Sequence, residues 1–441
     1  MIKRSGYADL PLHTGTVPRW LADRMMKLGT EIVEALILNY GRKEVLVRLS
    51  DPLWFQSLGC VLGMDWHSSG ITTSVMYALK RGLNRRAKEL GIVVCGGRGK
   101  YSRKTPEELN ILADMTGMDG NYLVNCSRLA AKVDGTAVQD GFQLYQHNFI
   151  LSSDGDWTVV QQGMNAQEQT ARRYHWSSEN LRSFVENPHS GVSGENQGLI
   201  LNLADENAFS TREKILSLTH EKPDSLINEI KKMGKGDSIQ LELFDENEEK
   251  NDFTEKRNSG FKGELISLQS ENNFPKEILI KNDRNIVLPR HHEIRAEDVD
   301  LKRLGAVLAT AYENENKNFE SLLLTEGLGP RTLQSLTLVS EVIYGTPSRF
   351  SDPARFSFAH GGKDGHPFPV TTKIYDETIR VLQKSIEDSK MGYDDKSECL
   401  RRLQKTSLYV ERNCMPEADF DKVIEHERNH SKEWGGRTCF D

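Results

Sequence analysis

Between residues 216 and 287 the chain carries no repeating apolar pattern. Glu, Lys, Asn, Asp, Ser and Gly dominate there, and Asp245-Glu-Asn-Glu-Glu-Lys-Asn-Asp252 is polar throughout. A segment of this kind cannot bury enough apolar surface to offset the entropy of ordering it, so it reads as a linker or insertion. Any core has to come from the sequence on either side. The full 441 residues exceed one average core and suit two folded units, and 37% hydrophobic with 27% charged residues fits globular units joined by an unpacked stretch. The expected organisation is mixed α+β, with an N-terminal α/β-type domain that carries chemistry over 1–215 and the polar linker over 216–287. A helical domain over 288–385 and a charged helical tail over 386–441 complete it.

Within the first unit, Leu21, Met25, Leu28, Ile32 and Leu36 recur at helical spacing from Trp20 to Tyr40, and Gly41 ends the run. Phe142–Leu151 and Trp157–Gln162 are rich in β-formers. They flank Ser152-Ser-Asp-Gly-Asp156, where Asp-Gly suits a hairpin turn. Beyond the polar stretch, Leu301, Leu304, Leu308, Phe319, Leu322 and Leu323 restore helical spacing, and a last helix is expected over 395–412.

Composition narrows the function classes. No window approaches the ~20 apolar residues that span a bilayer, and Met1–Asp9 lacks a signal-peptide apolar run, so a cytoplasmic protein without membrane contact is expected. Cys60, Cys95, Cys126, Cys399, Cys414 and Cys439 are scattered without close pairs, which suits reduced thiols rather than a disulfide framework or a zinc ribbon. A net charge of −7 rules out a uniformly basic coat, so nucleic-acid binding would have to rest on local patches.

The segment Phe319–Gly345 reads helix, Gly327-Leu-Gly-Pro-Arg-Thr332, helix, and resembles a helix-hairpin-helix motif. Gly327 and Gly329 let the turn approach a strand closely. Amides opening the second helix favour a phosphate, with Arg331 and Thr332 as further contacts. The plain alternative is an αα-hairpin with a glycine turn. Hairpin glycosylases carry an aspartate about one helix further on, and Asp352 stands near that spacing. Those that also cut the backbone use a lysine two residues after the second glycine. Arg331 stands there and cannot form their Schiff base, which leaves a single-function glycosylase or plain binding. Asp352 before Pro353 equally suits a turn or cap.

Nine basic residues against one acidic, Glu89, lie between Lys80 and Lys104. Residues 80–88 suit a solvated helix face. The loop Gly96-Gly-Arg-Gly-Lys-Tyr101 suits a phosphate, which nominates Arg98 and Lys100, although it lacks P-loop spacing. A second polar glycine loop, Ala359–Val370, adds His360 and Lys363 as contacts. Asp51–Gln56 and Met64–Thr73 cluster aromatic and polar groups, so Trp54, Phe55 and Trp66 are core candidates, and the run with Asp65 and His67 suits either an active-site loop or the cap of a helix over Ser74–Arg81.

Lys132-Val-Asp-Gly135 matches the core of nucleotidyl transferases but has Ala137 where they have arginine. His147, Asp154 and Asn165 echo the phospholipase-D-type nuclease pattern, with Phe149 in place of its lysine. What remains is a group, Lys132, Asp134, Asp140, His147 and His175, able to hold Mg²⁺ or Mn²⁺ for phosphodiester cleavage or else to hydrogen-bond along a sheet edge. No nucleotide or organic cofactor motif is evident. His426-Glu-Arg-Asn-His430 spells a zinc-protease motif, but a charged tail gives it neither an apolar core nor a third ligand. In the polar stretch, Gln240-Leu-Glu-Leu-Phe244 resembles the peptide that docks bacterial repair proteins on the β sliding clamp, with Gln240, Leu243 and Phe244 as the docking residues.

Ala8–His13, Leu49–Gln56, Val160–Asn165 and His360–His366 together resemble a bacterial and archaeal family filed as domain of unknown function 763, over about 4–190 and 288–380. The resemblance supports the domain division and implies no chemistry. The residues point to an enzyme acting on DNA in repair, a metal-dependent nuclease or a glycosylase-like hydrolase. A non-catalytic DNA-binding adaptor tethered to the clamp and an RNA-processing enzyme are the alternatives.

Overall fold

The structure, a computed structural model, describes residues 10–11, 19–64, 69–166, 170–179, 181–194, 196–233, 301–314, 316–354, 368–369 and 372–415. A short strand β1 (Leu10–Pro11) precedes α1 (Arg19–Tyr40), α2 (Arg42–Ser50), α3 (Pro52–Val61) and α4 (Gly70–Leu83). Helix α1 covers the predicted periodic run and stops at Gly41, whose φ of 87° is open to glycine without a Cβ clash. The Asp51 carboxylate caps α3 by accepting the Leu53 and Trp54 amides at 2.8 and 3.0 Å, and Pro52 fills the first helical position, where no N–H is needed. The aromatic cluster at 51–56 is therefore a helix start, and Trp54 and Phe55 are fully buried.

After α5 (Ala87–Leu90), β2 (Ile92–Arg98) leads through a 3₁₀ run over Gly99–Lys104 into α6 (Thr105–Thr116) and α7 (Gly120–Lys132). One π-helical turn over Val133–Ala137 and β3 (Val138–Gln139) then open the strand region. It comprises β4 (Gln143–Ser152), β5 (Trp157–Asn165), β6 (Thr170–Ser177), β7 (Gly191–Ser193) and β8 (Leu199–Asn202). The expected hairpin joins β4 to β5, with Gly155 at φ 91°. The main antiparallel sheet runs β1-β6-β5-β4-β2, with β7 also on β6.

Both faces of this sheet are covered. Ile150, Val160 and Ala171 pack with the α1–α4 layer, whereas their strand neighbours Phe149, Leu151, Val159 and Trp176 pack with α7. From Gln146 on in β4, up to Gly163 in β5 and along β6, strand parity thus assigns the buried residues to one side of the sheet or the other.

Helices α8 (Phe209–Thr219) and α9 (Pro223–Met233) extend ordered structure into the stretch read as linker from 216. Leu218 and Leu226 are fully buried there, an apolar stripe too sparse to stand out in so polar a composition. The later elements are α10 (Leu301–Glu313), α11 (Phe319–Leu323), α12 (Pro330–Tyr344), β9 (Phe350–Ser351), α13 (Thr372–Asp388) and α14 (Tyr393–Asn413). Leu304, Leu308, Leu322, Leu333, Leu336 and Val339 join the cluster that holds Trp157 and Trp176, and Val381, Leu382, Cys399 and Leu403 join the α1–α4 layer. The helices read as a separate unit and tail therefore share their cores with the sheet. Cys60, Cys95, Cys126 and Cys399 are buried free thiols, and no described helix is long and apolar enough to cross a membrane.

Candidate nucleic-acid interface and candidate active site

The basic segment divides in two. Lys80 meets Glu108 at 2.7 Å, Arg81 meets Asp23 at 2.9 Å, and Arg86 bridges Glu34 and Glu89 at 2.9 and 2.6 Å. Those cations fasten helices together. Arg98, Lys100, Arg103 and Lys104 are instead exposed, with no carboxylate ion pair among the described residues. The Arg98 guanidinium lies 5.8 Å from the Tyr145 ring centre and the Lys100 ammonium 5.4 Å from that of the half-exposed Tyr101. The loop leaves the sheet through Gly96, where φ is 85° and a Cβ would sit 2.3 Å from the His147 carbonyl oxygen. No side chain fits there.

The glycine hairpin forms two helices about a turn. Asn318 caps α11 in a reciprocal box with Ser321, Gly327 takes φ 80°, and extended Gly329 caps α12 with Pro330 at its first position. The turn docks on the region of the π-turn. Lys132 Nζ donates to the Leu328 carbonyl at 2.5 Å and Gln139 Nε2 to that of Pro330 at 3.0 Å. Burial pushes the Lys132 ammonium below its ordinary pKa. Gly327 is exposed and Gly329 and Arg331 half-buried. Thr332, expected to contact nucleic acid, is 3% exposed and faces the helix packing, which corrects that expectation.

Asp134 sits fully buried in the π-turn, a geometry that recurs at functional sites. Its Oδ2 accepts Trp176 Nε1 at 2.9 Å and Gln161 Nε2, and its Oδ1 pairs with His189 Nε2 at 2.5 Å. Gln161 Nε2 also donates to the Ala130 carbonyl at 3.0 Å, so its Oε1 faces His147 Nδ1, at 2.7 Å. That nitrogen therefore carries the proton, and His147 Nε2 accepts the Ser127 hydroxyl at 2.9 Å. Burial holds His147 below the usual imidazole range, neutral, with both ring nitrogens engaged. Asp134 and His147, both nominated from sequence, are thus joined through Gln161.

Asp140 and Asp352 were nominated as catalytic, and the structure corrects this by placing both in a buried clasp on Arg172. Arg172 Nη1 donates to Asp140 Oδ2 and Asp352 Oδ1 at 3.0 Å each, and Nη2 donates to Asp352 Oδ2 at 3.1 Å. Tyr174 Oη adds a bond to Asp140 at 2.6 Å, and the Gln197 and Ala354 amides bond Asp352 at 2.9 Å each. All three charged side chains are fully inaccessible. Desolvation lifts the Asp140 carboxyl to about 6 against the pull of Arg172 and Tyr174. The clasp ties β6 to the chain after β9, and Asp352 does cap its own turn.

The five-residue metal group does not assemble. His175 lies on the opposite face of the sheet from His147. Its Nδ1 donates to the Leu49 carbonyl at 3.0 Å and its Nε2 accepts Arg173 Nε at 2.9 Å. Among the described residues no three His, Cys, Asp or Glu side chains are placed to share a metal ion. The nuclease-like trio separates too, since Asp154 lies in the β4–β5 turn beside Arg42 and Asn165 at the far end of β5. His67, Gln240, Leu243, Phe244, His360, Lys363 and residues 426–430 lie outside the described residues.

Sequence reading missed Ser127, Gln161, Arg172 and His189. Arg172 lies in a polar run, Arg172-Arg-Tyr-His175, that reads as a solvent face, and nothing local marks His189. No curated protein and no solved structure matches the chain. A family profile does match, over residues 6–370, which is most of its length. The chain belongs to the family described as "Protein of unknown function (DUF763)".

Proposed function

We propose that the protein binds and processes nucleic acid, with DNA the favoured ligand. One observation carries the reading. In a chain of net charge −7, the Arg98–Lys104 loop keeps four cations exposed without carboxylate partners among the described residues, while Lys80, Arg81 and Arg86 nearby are all paired. Exposed tyrosine beside these cations adds a stacking surface. The hairpin is a second contact, since Lys132 brings a cation to the turn that opens α12, where the helix dipole favours phosphate. Backbone contacts by such groups are independent of sequence and fall away with salt.

Fluorescence anisotropy with labelled duplex, single-stranded and structured RNA probes over a salt series tests this. Each lost phosphate contact lowers the duplex salt slope by about 0.9, so replacing Arg98, Lys100, Arg103 and Lys104 together by Ala should flatten it by roughly 3 to 4. Binding that ignores salt, or survives that variant unchanged, overturns the reading. Preference for structured RNA in the same competition selects the RNA-processing alternative. Product release with Mg²⁺ or Mn²⁺ separates an enzyme from an adaptor. Binding of a peptide spanning residues 236–248 to purified clamp tests the tether.

A further inference from the structure

We propose that His189 is the general base of this protein's nucleic-acid chemistry, positioned by Asp134; the role rests on the reading above. Three histidines line the main sheet, and they differ in one respect. His147 and His175 each have both ring nitrogens hydrogen-bonded. His189 gives Nε2 to Asp134 Oδ1, and no hydrogen bond joins Nδ1 to another of the described residues. A carboxylate takes the Nε2 proton as its bond, so Nδ1 holds the lone pair. This is the orienting logic of an acid–histidine pair, in which a buried acid fixes the tautomer of a ring whose other nitrogen takes the proton.

The ring is held firmly. It packs edge-on to Trp176 at 4.8 Å and 65°, and Tyr174 lies 6.1 Å away. Asp134 is held by Trp176 and Gln161, and so cannot swing away from the ring. The chain reaches His189 through Asn187, whose φ of 47° is the one positive value at a non-glycine among the described residues.

Placement fits the task. The segment leading to His189 touches the hairpin where the Phe184 amide donates to Glu320 at 3.0 Å, and the π-turn bearing Asp134 follows Lys132, which grips the hairpin turn. A strand held at that turn would lie beside the π-turn. In the step assigned, Nδ1 removes a proton from water as the water oxygen bonds to a backbone phosphorus. The bond from phosphorus to the leaving sugar oxygen breaks, and that oxygen takes the proton back from the imidazolium.

The test uses the full chain and His189→Gln, whose amide nitrogen can keep the bond to Asp134 while the base is lost. Labelled duplex and single-stranded DNA are incubated with each protein, and anisotropy and thermal melting are recorded alongside. The expected result is a loss of about 10²–10⁴-fold in cleavage with affinity and melting unchanged. Nitrogen-15 NMR of the imidazoles should show His189 protonated at Nε2, and Asp134→Asn should release that tautomer preference. Cleavage that survives His189→Gln, a proton on Nδ1 at neutral pH, or binding without product from wild type each overturns the role of His189. Absence of nucleic-acid binding removes the underlying reading as well.

Discussion

Replacing Arg172 by Met would remove the cation that pairs with Asp140 and Asp352 among the described residues and leave these carboxylates facing each other in a fully inaccessible site. Three charge-assisted hydrogen bonds link Arg172 to these carboxylates. At about 1.5–3 kcal/mol each, their summed worth is roughly 4.5 to 9 kcal/mol, but desolvating the ions offsets much of it. Removing one partner of a buried ion pair costs about 3–5 kcal/mol because the remaining charge is uncompensated, and that is the loss expected at pH 8. Here one of the uncompensated charges, that of Asp140, can be neutralised. Asp140 already stands at about 6 with Arg172 present. Without the guanidinium the Asp140 carboxyl takes up a proton more readily still, so the deficit should shrink as the pH falls to 5.5. Urea unfolding of wild type and Arg172→Met at the two pH values gives the comparison. A loss below about 1 kcal/mol at pH 8, or the same loss at both values, would refute the argument that buried charge dominates this contact.

The remaining predictions concern single groups. Asp140 is raised in the fold from the ordinary aspartate value of 3.8 to about 6, so folding takes up a proton between those values and its contribution to stability grows as pH falls through 6. Stability curves should therefore show wild type gaining on Asp140→Asn between pH 7 and pH 5. Gly96→Ala places a methyl against the His147 carbonyl at a left-handed φ and should lower stability by about 1–3 kcal/mol in the same assay, with loss of the β2–β4 amides' exchange protection. Asp51→Ala removes the cap of α3 and should cost about 0.5–2 kcal/mol by thermal melting.

Several elements were legible from local sequence alone. Helix α1 and the β4–β5 hairpin depend on short-range periodicity and on glycines at Gly41 and Gly155, so the residues that form them are neighbours in the chain. Residues 80–88 read as a solvated helix face, but Lys80, Arg81 and Arg86 are paired with carboxylates of other helices, partners that no local pattern reveals. The candidate active site was half legible. Asp134 and His147 were picked for their chemistry, but the atoms that connect them belong to Gln161, and the histidine that Asp134 holds lies 55 residues away. Asp140 and Asp352 looked catalytic because a carboxylate beside a turn gives no sign of an arginine waiting 32 and 180 residues off.

Amino-acid order by itself marked helix α1, the β4–β5 hairpin and the glycines that end or turn them, since those follow from backbone sterics and the spacing of apolar side chains. Tertiary packing alone decided what the polar residues of β4–β6 do. Alternation predicts one wet face, whereas helices close over both faces here and force His147, Gln161, Arg172, Arg173 and His175 to find partners in the interior. A buried polar group is costly unless bonded, so each partner is set by three-dimensional proximity, which local sequence does not encode.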